Sequence, residues 1–211
     1  MEVMLINGSP HPHGCTYTAL GEVAAALNAQ GIDTTIFQIG TKPIAGCIAC
    51  KKCAETGRCA FGDIVNDFVD LAGKADGFVF GSPVHYAAAD GAITSFMDRA
   101  FYSDMQSGRR SFYLKPAAAV VSARRAGTTT ALDQLNRYFA ISQMPVISSR
   151  YWNLVHGAKP EDVLKDLEGL QTMRVLGKNM AWFLKCKKAG IEAGVPFPEK
   201  EPNIYTNFIR E

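Results

Sequence analysis

The sequence predicts a doubly wound α/β domain: a five-stranded parallel sheet with helices on both faces. Three observations predict it. Short apolar runs alternate with longer helical stretches along most of the chain. The segments after the apolar runs collect glycine, hydroxyl, aromatic and cationic residues, while the helical stretches are plain. No repeat, low-complexity tract or linker interrupts the series, so the 211 residues suit one domain with a sizeable core.

The elements follow in order. "EVMLI" (2–6) reads as a buried strand, "TYTALGEVAAALNAQ" (16–30) as a helix ended by Gly31, and "DTTIFQI" (33–39) as the second strand. A cysteine-rich stretch, 46–59, comes next. "DIVNDFVDLAGKA" (63–75) is helical, with Ile64, Phe68 and Leu71 expected on one face. "GFVFG" (77–81) is the third strand and "GAITSFMDRAF" (91–101) a short helix. "PAAAVVSA" (116–123) is the fourth strand, "TTTALDQLNRYFAIS" (128–142) a helix, and "MPVISS" (144–149) the fifth strand. Residues 160–188 read as one long helix with Pro160 near its start, on which Cys186 is expected to pack as a small apolar residue. The domain is expected to span 1–190. The tail 191–211, rich in proline and aromatics, is expected to pack on the surface or on a partner.

Composition removes several function classes. Lys plus Arg is 22 against 20 Asp plus Glu, a net charge of +2, and the basic residues are scattered. Neither nucleic acid nor a membrane surface is expected as a partner. No apolar run reaches spanning length. "MEVMLINGSP" enters a strand directly, without a basic leader, so a cytoplasmic, reducing setting is expected, where structural disulfides are rare.

In an open parallel sheet, ligands bind beyond the carboxyl ends of the strands. The loop after the first strand, "NGSPHPHGCT", combines Gly8 and Gly14 with the hydroxyls of Ser9, Thr16 and Thr18 and runs into a helix start, where N–H groups favour an anion. There is no G-K-[ST] for a triphosphate and no G-x-G-x-x-G for a dinucleotide. Cys15 lacks the arginine six residues on that a cysteine phosphatase loop needs, since residue 21 is glycine. A loop of hydroxyls and amides without lysine fits a phosphate monoester such as that of FMN. "GSPVHYAAADG" would let backbone approach a flat ligand while His85–Tyr86 covers it. "SARRAGTTT" offers Arg124, Arg125 and N–H groups to the polar edge of a flavin. Tyr151 and Trp152 read as edge packing or as a pocket wall. No Ser–His–Asp order or carboxylate pair in these loops argues for a hydrolase, and no catalytic side chain is assigned.

"GCIACKKCAETGRC" holds four of the chain's six cysteines, spaced C-x2-C-x2-C-x5-C. Thiolates at i, i+3 and i+6 can converge on one object, and Gly57 allows the turn that returns Cys59. Zinc sites more often use two knuckles on a long spacer, so the run suits a self-contained [4Fe–4S] cluster better. Lys51, Lys52 and Arg58 would offset its negative charge. A loop of reduced, metal-free cysteines stays open as an alternative.

"NGSPHPHGCTYTAL", "GSPVHYAAADGAITSFMDRAF" and "SARRAGTTTALDQL", in this order and spacing, resemble the flavodoxin-like NAD(P)H-dependent FMN reductases. With the cysteine run included, the likeness is to their iron–sulfur flavoprotein branch. It covers roughly residues 1–157 and implies a 2-1-3-4-5 sheet with FMN at its carboxyl edge. Carried over by position, Ser9, Cys15, Thr16 and Thr18, with His11 beside them, would hold the phosphate. Pro83, Val84, His85 and Tyr86 would line the isoalloxazine, joined by Ala123, Arg124 and Gly127. The family often has Asn where this chain has Cys15, so the N–H rather than the thiol is the donor expected there. Cys47, Cys50, Cys53 and Cys59 would hold the cluster and NAD(P)H would be a donor. A homodimer or homotetramer is implied, passing electrons to a redox partner or a small acceptor. The alternatives are a cluster-free FMN or quinone reductase and a non-enzymatic electron carrier.

Overall fold

The computed structural model describes residues 1–206; the last five residues of the tail lie outside the described residues. The parallel sheet runs in the order β2-β1-β3-β5-β6, with β1 Glu2–Asn7, β2 Asp33–Gln38, β3 Gly77–His85, β5 Ala117–Ala123 and β6 Leu154–His156. These are the five parallel strands in the expected 2-1-3-4-5 order, and the fold is flavodoxin-like. A two-residue antiparallel strand, β4 Ala88–Ala89, is paired to the end of β3.

The pleat sorts the strand side chains onto two faces. Met4, Ile6, Phe78, Phe80, Ala117, Ala119 and Val121 point to one core, covered by α3 Ile64–Ala72, α4 Gly91–Gln106 and α5 Thr128–Ile141. Val3, Leu5, Val79, Ala118 and Val120 point to the other, covered by α1 Cys15–Asn28 and α7 Leu167–Glu192. The first core is built on aromatics. Phe68 of α3, fully buried, has Phe37, Phe78, Phe80, Phe96 and Phe112 around it at centroid distances of 4.9–6.3 Å.

Four local expectations are corrected. Residues 144–149 are not the fifth strand: they make a single bridge, Ala117 to Val146. The strand forms only at 154–156, against the upper half of β5. Pro145 explains part of this, since it has no N–H to give a ladder. The long helix is broken: α6 Pro160–Val163 is followed by a new start at Asp166, whose carboxylate accepts from Gly169 N–H at 2.9 Å. On α3 the buried stripe is Val65, Phe68, Val69 and Ala72, while Leu71 is exposed. Cys186 is exposed on α7 rather than packed. The tail from 195 to 206 carries no helix or strand, and its Val195, Phe197, Ile204 and Tyr205 are exposed. Among the described residues, no helix is long and apolar enough to cross a membrane.

Candidate functional site

Three loops meet at the carboxyl edge of the sheet. The first, residues 8–14, is pinned by the last residues of two neighbouring strands. Asn7 is fully buried, and its amide donates to His11 O, Pro12 O and Gln38 Oε1 at 3.4, 3.4 and 2.5 Å. Gln38 Nε2 donates to Ser9 O at 2.7 Å, and Gly8 N–H donates to Gly81 O at 2.9 Å. A Cβ on Gly8 would sit 2.6 Å from that same carbonyl, so only glycine lets β1 and β3 close up here.

The loop hydroxyls are used internally. Ser9 Oγ, buried, accepts from His11 N–H at 3.1 Å. Thr16 Oγ1 and Ser122 Oγ share a buried bond of 2.8 Å, which ties the start of α1 to the end of β5. Thr18 Oγ1 donates to Gly14 O at 3.2 Å. The Cys15 thiol donates to Gly157 O at 3.6 Å, and burial pushes its pKa up. What the loop leaves open is backbone. The α1 N-cap is Gly14, without a side-chain bond, so the first-turn N–H groups are unclaimed by a cap. The same holds for α5 behind Gly127, whereas Asp63, Asp90 and Asp166 cap α3, α4 and α7.

The second and third loops fit into each other. β3 runs on through His85 and turns at Tyr86–Ala87, both left-handed at φ 49° and 59°, into β4. That turn holds the Tyr86 ring clear of the protein, fully exposed. A two-residue turn with both φ values positive normally selects Asn or Gly, so tyrosine and alanine are strained here. The hairpin is held from three sides. Gln134 of α5 accepts from Ala89 N–H at 3.0 Å, Ser82 Oγ accepts from Asp90 N–H at 3.0 Å, and Asp90 pairs with His85 Nδ1 at 2.7 Å. Gly127, at φ 92°, lies so close that a Cβ there would be 2.6 Å from Ala87 Cα. Pro83 and Val84 are half-buried and Ala123 buried, while Arg124 and Arg125 project into solvent. Tyr151 and Trp152 stack edge to face at 4.6 Å, half-exposed, before β6.

Gly127→Ala is therefore expected to strain the third loop and push the hairpin away, at a cost of about 1–2 kcal/mol for the left-handed conformation alone. Thermal unfolding and a flavin titration of the apoprotein measure the two consequences. Wild-type values in both would remove Gly127 from the site.

The cysteine loop lies elsewhere. Its four cysteines face one recess, completed by Ile48, Phe61, Arg99 and Tyr102 among others. Ala49 and Lys51, between the cysteines, are left-handed at φ 52° and 59°, and Gly57 closes the short helix α2 Lys52–Thr56 at φ 71°. Among the described residues, no three His, Cys, Asp or Glu side chains crowd together as a single metal ion requires; the sulfurs surround the recess instead. Cys53 is buried and the others are more open. Burial raises the Cys53 pKa, and the neighbouring cysteines raise it further. Arg58, expected to offset the charge of a cluster, is paired with Asp70 at 2.6 Å.

The residue nearest to the sulfurs was not foreseen. Arg99 Nε donates to Cys59 Sγ at 3.3 Å, and the guanidinium is also forked onto Asp63 at 2.7 and 2.8 Å. This pairing holds the Asp63 carboxyl below its ordinary range. Asn66 then grips the Cys59 backbone, accepting from its N–H at 2.8 Å and donating to its carbonyl at 2.9 Å. Arg99 stands eight residues into α4, about 12 Å down the helix from the flavin-type loops at 1.5 Å per residue. The recess therefore sits against the flank of α4, lined there by Arg99, Tyr102 and Ser103.

A parallel sheet of this order, with glycine-tight loops and uncapped helix starts at its carboxyl edge, is the frame of a flavin-dependent oxidoreductase. The NADPH-dependent FMN reductase family model matches residues 1–159, and the chain belongs to that family. An iron–sulfur flavoprotein of Methanocaldococcus jannaschii is 32% identical over 197 residues, covering 89% of this chain and 100% of that protein. One from Clostridioides difficile is 30% identical over 136 residues, 63% of this chain and 59% of that protein. Among solved structures, RosB with bound 8-demethyl-8-formylriboflavin-5'-phosphate superposes at a TM-score of 0.70, with 13% identity, over 100% of this chain and 94% of that one. A flavodoxin from the domain Archaea gives 0.58 with 15% identity, over 88% of this chain and 99% of that one. At such identities the structures speak for the fold alone.

Proposed function

We propose that the chain is an FMN-dependent oxidoreductase whose cysteine loop carries a [4Fe–4S] cluster, so that it couples hydride donors to one-electron acceptors. The observation that carries this reading is the recess ringed by Cys47, Cys50, Cys53 and Cys59, with a buried cation bonded to one of the sulfurs. The C-x2-C-x2-C-x5-C spacing suits a self-contained cluster better than zinc, whose sites more often use two knuckles on a long spacer. The names of the two relatives point the same way.

FMN would lie against the three carboxyl-edge loops. The unclaimed N–H groups at the start of α1, next to Ser9 and Cys15, favour the dianionic phosphate. Residues 83–86 would bear on one side of the ring system, with Tyr86 free to cover it. Ala123 and the amides behind Gly127 would bond its polar edge, and Arg124 would add positive charge. His11 is exposed in the same loop, beside the proposed phosphate site. When bound, FMN supplies two-electron exchange with a nicotinamide and the cluster supplies single electrons. The protein's part is placement, exclusion of water and local charge. As the likeness to the iron–sulfur flavoproteins implies, we further propose that the recess faces the flavin loops of a second copy in a homodimer or homotetramer. The final acceptor would be a redox protein or a small molecule.

The test is the composition of anaerobically reconstituted protein. About four iron and four sulfide per chain are expected with one FMN, together with NADPH-driven reduction of a one-electron acceptor. A protein that takes up FMN but only zinc, or no metal, would reduce the reading to a cluster-free flavin reductase.

A further inference from the structure

We infer that Arg99 is a positioning residue for the cysteine-loop centre: its buried guanidinium fixes the Cys59 sulfur as a ligand and raises the electron affinity of what that sulfur binds. The inference rests on the reading that the loop holds a cluster. It goes beyond that reading, because it assigns part of the centre's properties to a side chain on another element.

The geometry is specific. The Arg99 side chain is wholly buried. Its Nε donates to Cys59 Sγ at 3.3 Å, Nη1 donates to Asp63 Oδ2 at 2.8 Å and Ala45 O at 3.4 Å, and Nη2 donates to Asp63 Oδ1 at 2.7 Å. The Phe61 ring covers it, with Cζ 4.5 Å from the centroid. One guanidinium thus touches the residue before the cysteine run, the last cysteine, and the residue that caps the following helix. A buried guanidinium forked onto a part-exposed carboxylate is costly to lose from either side, and it ties three segments of the chain together. A buried cation aimed at a thiolate sulfur is explained by what the sulfur does.

The electronic direction follows from charge. A thiolate-ligated cluster is negative and becomes more so on reduction, and an N–H donor on a ligating sulfur favours the reduced form. Asp63 largely cancels the guanidinium charge at a distance, so the effect is carried by the short N–H···S contact. Lysine has no planar fork with which to hold Asp63 and Cys59 together. Lys51, which also lines the recess, is exposed and water-screened, so it cannot take over.

Arg99→Met and Arg99→Lys, each reconstituted anaerobically beside the wild type, test the inference. Redox titration followed by electron paramagnetic resonance reads the cluster, and absorbance reads the flavin. In both variants, reduction of the cluster is expected to be about tenfold less favourable, which is about 59 mV for a one-electron couple. The cluster's spectrum should change while the flavin potential and circular dichroism stay at wild-type values. Folded variants that keep FMN but lose iron also support the assignment, through the orientation of Cys59. Should Arg99→Met not fold, Arg99→Lys alone decides. Variants with wild-type cluster potential and spectrum overturn the inference and leave the cluster reading intact. A wild-type protein without iron overturns the reading itself.

Discussion

A Cys50→Ser chain is expected to lose its iron and keep its flavin. Cys50 lines the recess but is exposed, so its loss removes little packing and the fold should stand. Serine has nearly the same size, but its alcohol is a poor substitute for a thiolate as an iron ligand. The neighbouring structure is independent of the Cys50 sulfur. Gly57 still closes α2 by donating to Cys53 O at 3.0 Å, and Asn66 still holds Cys59. The flavin-type loops are fixed by Asn7, Gln38, Gln134 and Asp90, none of which touches the cysteine run. Iron and sulfide per chain should therefore fall to a small fraction of wild type, with FMN stoichiometry unchanged and one-electron acceptor reduction lost. Wild-type iron content in the variant would remove Cys50 from the ligand set. Parallel loss of FMN would show that the two centres are structurally one.

Most of the frame could be read from the chain, because apolar runs of strand length and amphipathic helices report burial directly. β6 could not. "MPVISS" has strand composition, but it makes only the Ala117–Val146 bridge and the ladder forms at 154–156, because pairing depends on β5, far away in sequence. The site was legible in part. Gly8 and Gly127 sit where backbone meets backbone, as loop glycines at strand ends suggest. Thr16 shows the limit: its hydroxyl faces Ser122 across the sheet edge, a choice set by the packing of α1 on β5 and not by local sequence. Asn7 and Gln38 went unnoticed, although each is a polar residue ending an apolar strand and they are register partners. Arg99 left a clearer trace. Phe96, Arg99 and Ser103 repeat at helical spacing along the buried face of α4, so a cation was due to be buried there with a partner. What the sequence could not give is the identity of that partner. Asp63 and Cys59 are 36 and 40 residues away, and only the fold brings them to it.

Phe68→Ala is expected to have the largest effect on stability, and it would reach the cysteine loop through α3. The ring is fully buried at the centre of five other aromatics, with Phe96 closest at 4.9 Å and Phe37 at 5.4 Å. Removing it costs about 3–5 kcal/mol, from lost transfer energy and from a cavity that five rigid rings cannot collapse to fill. Against a total of about 5–15 kcal/mol, that is a large share. Phe68→Leu keeps most of the apolar volume and should cost appreciably less. The same helix carries Asp63 at its start and Asn66 two residues before Phe68, so loosening α3 loosens the grip on Arg99 and Cys59. Urea unfolding of the apoprotein should show the midpoint falling in the order wild type, Leu, Ala, with an unchanged slope. Cluster retention under a chelator should fall in the same order, while FMN affinity, held by loops at the N-terminal end of α4, changes little. A Phe68→Ala midpoint within error of wild type would show that α3 is not anchored by the aromatic core. The hold on Cys59 would then have to come from α4 alone.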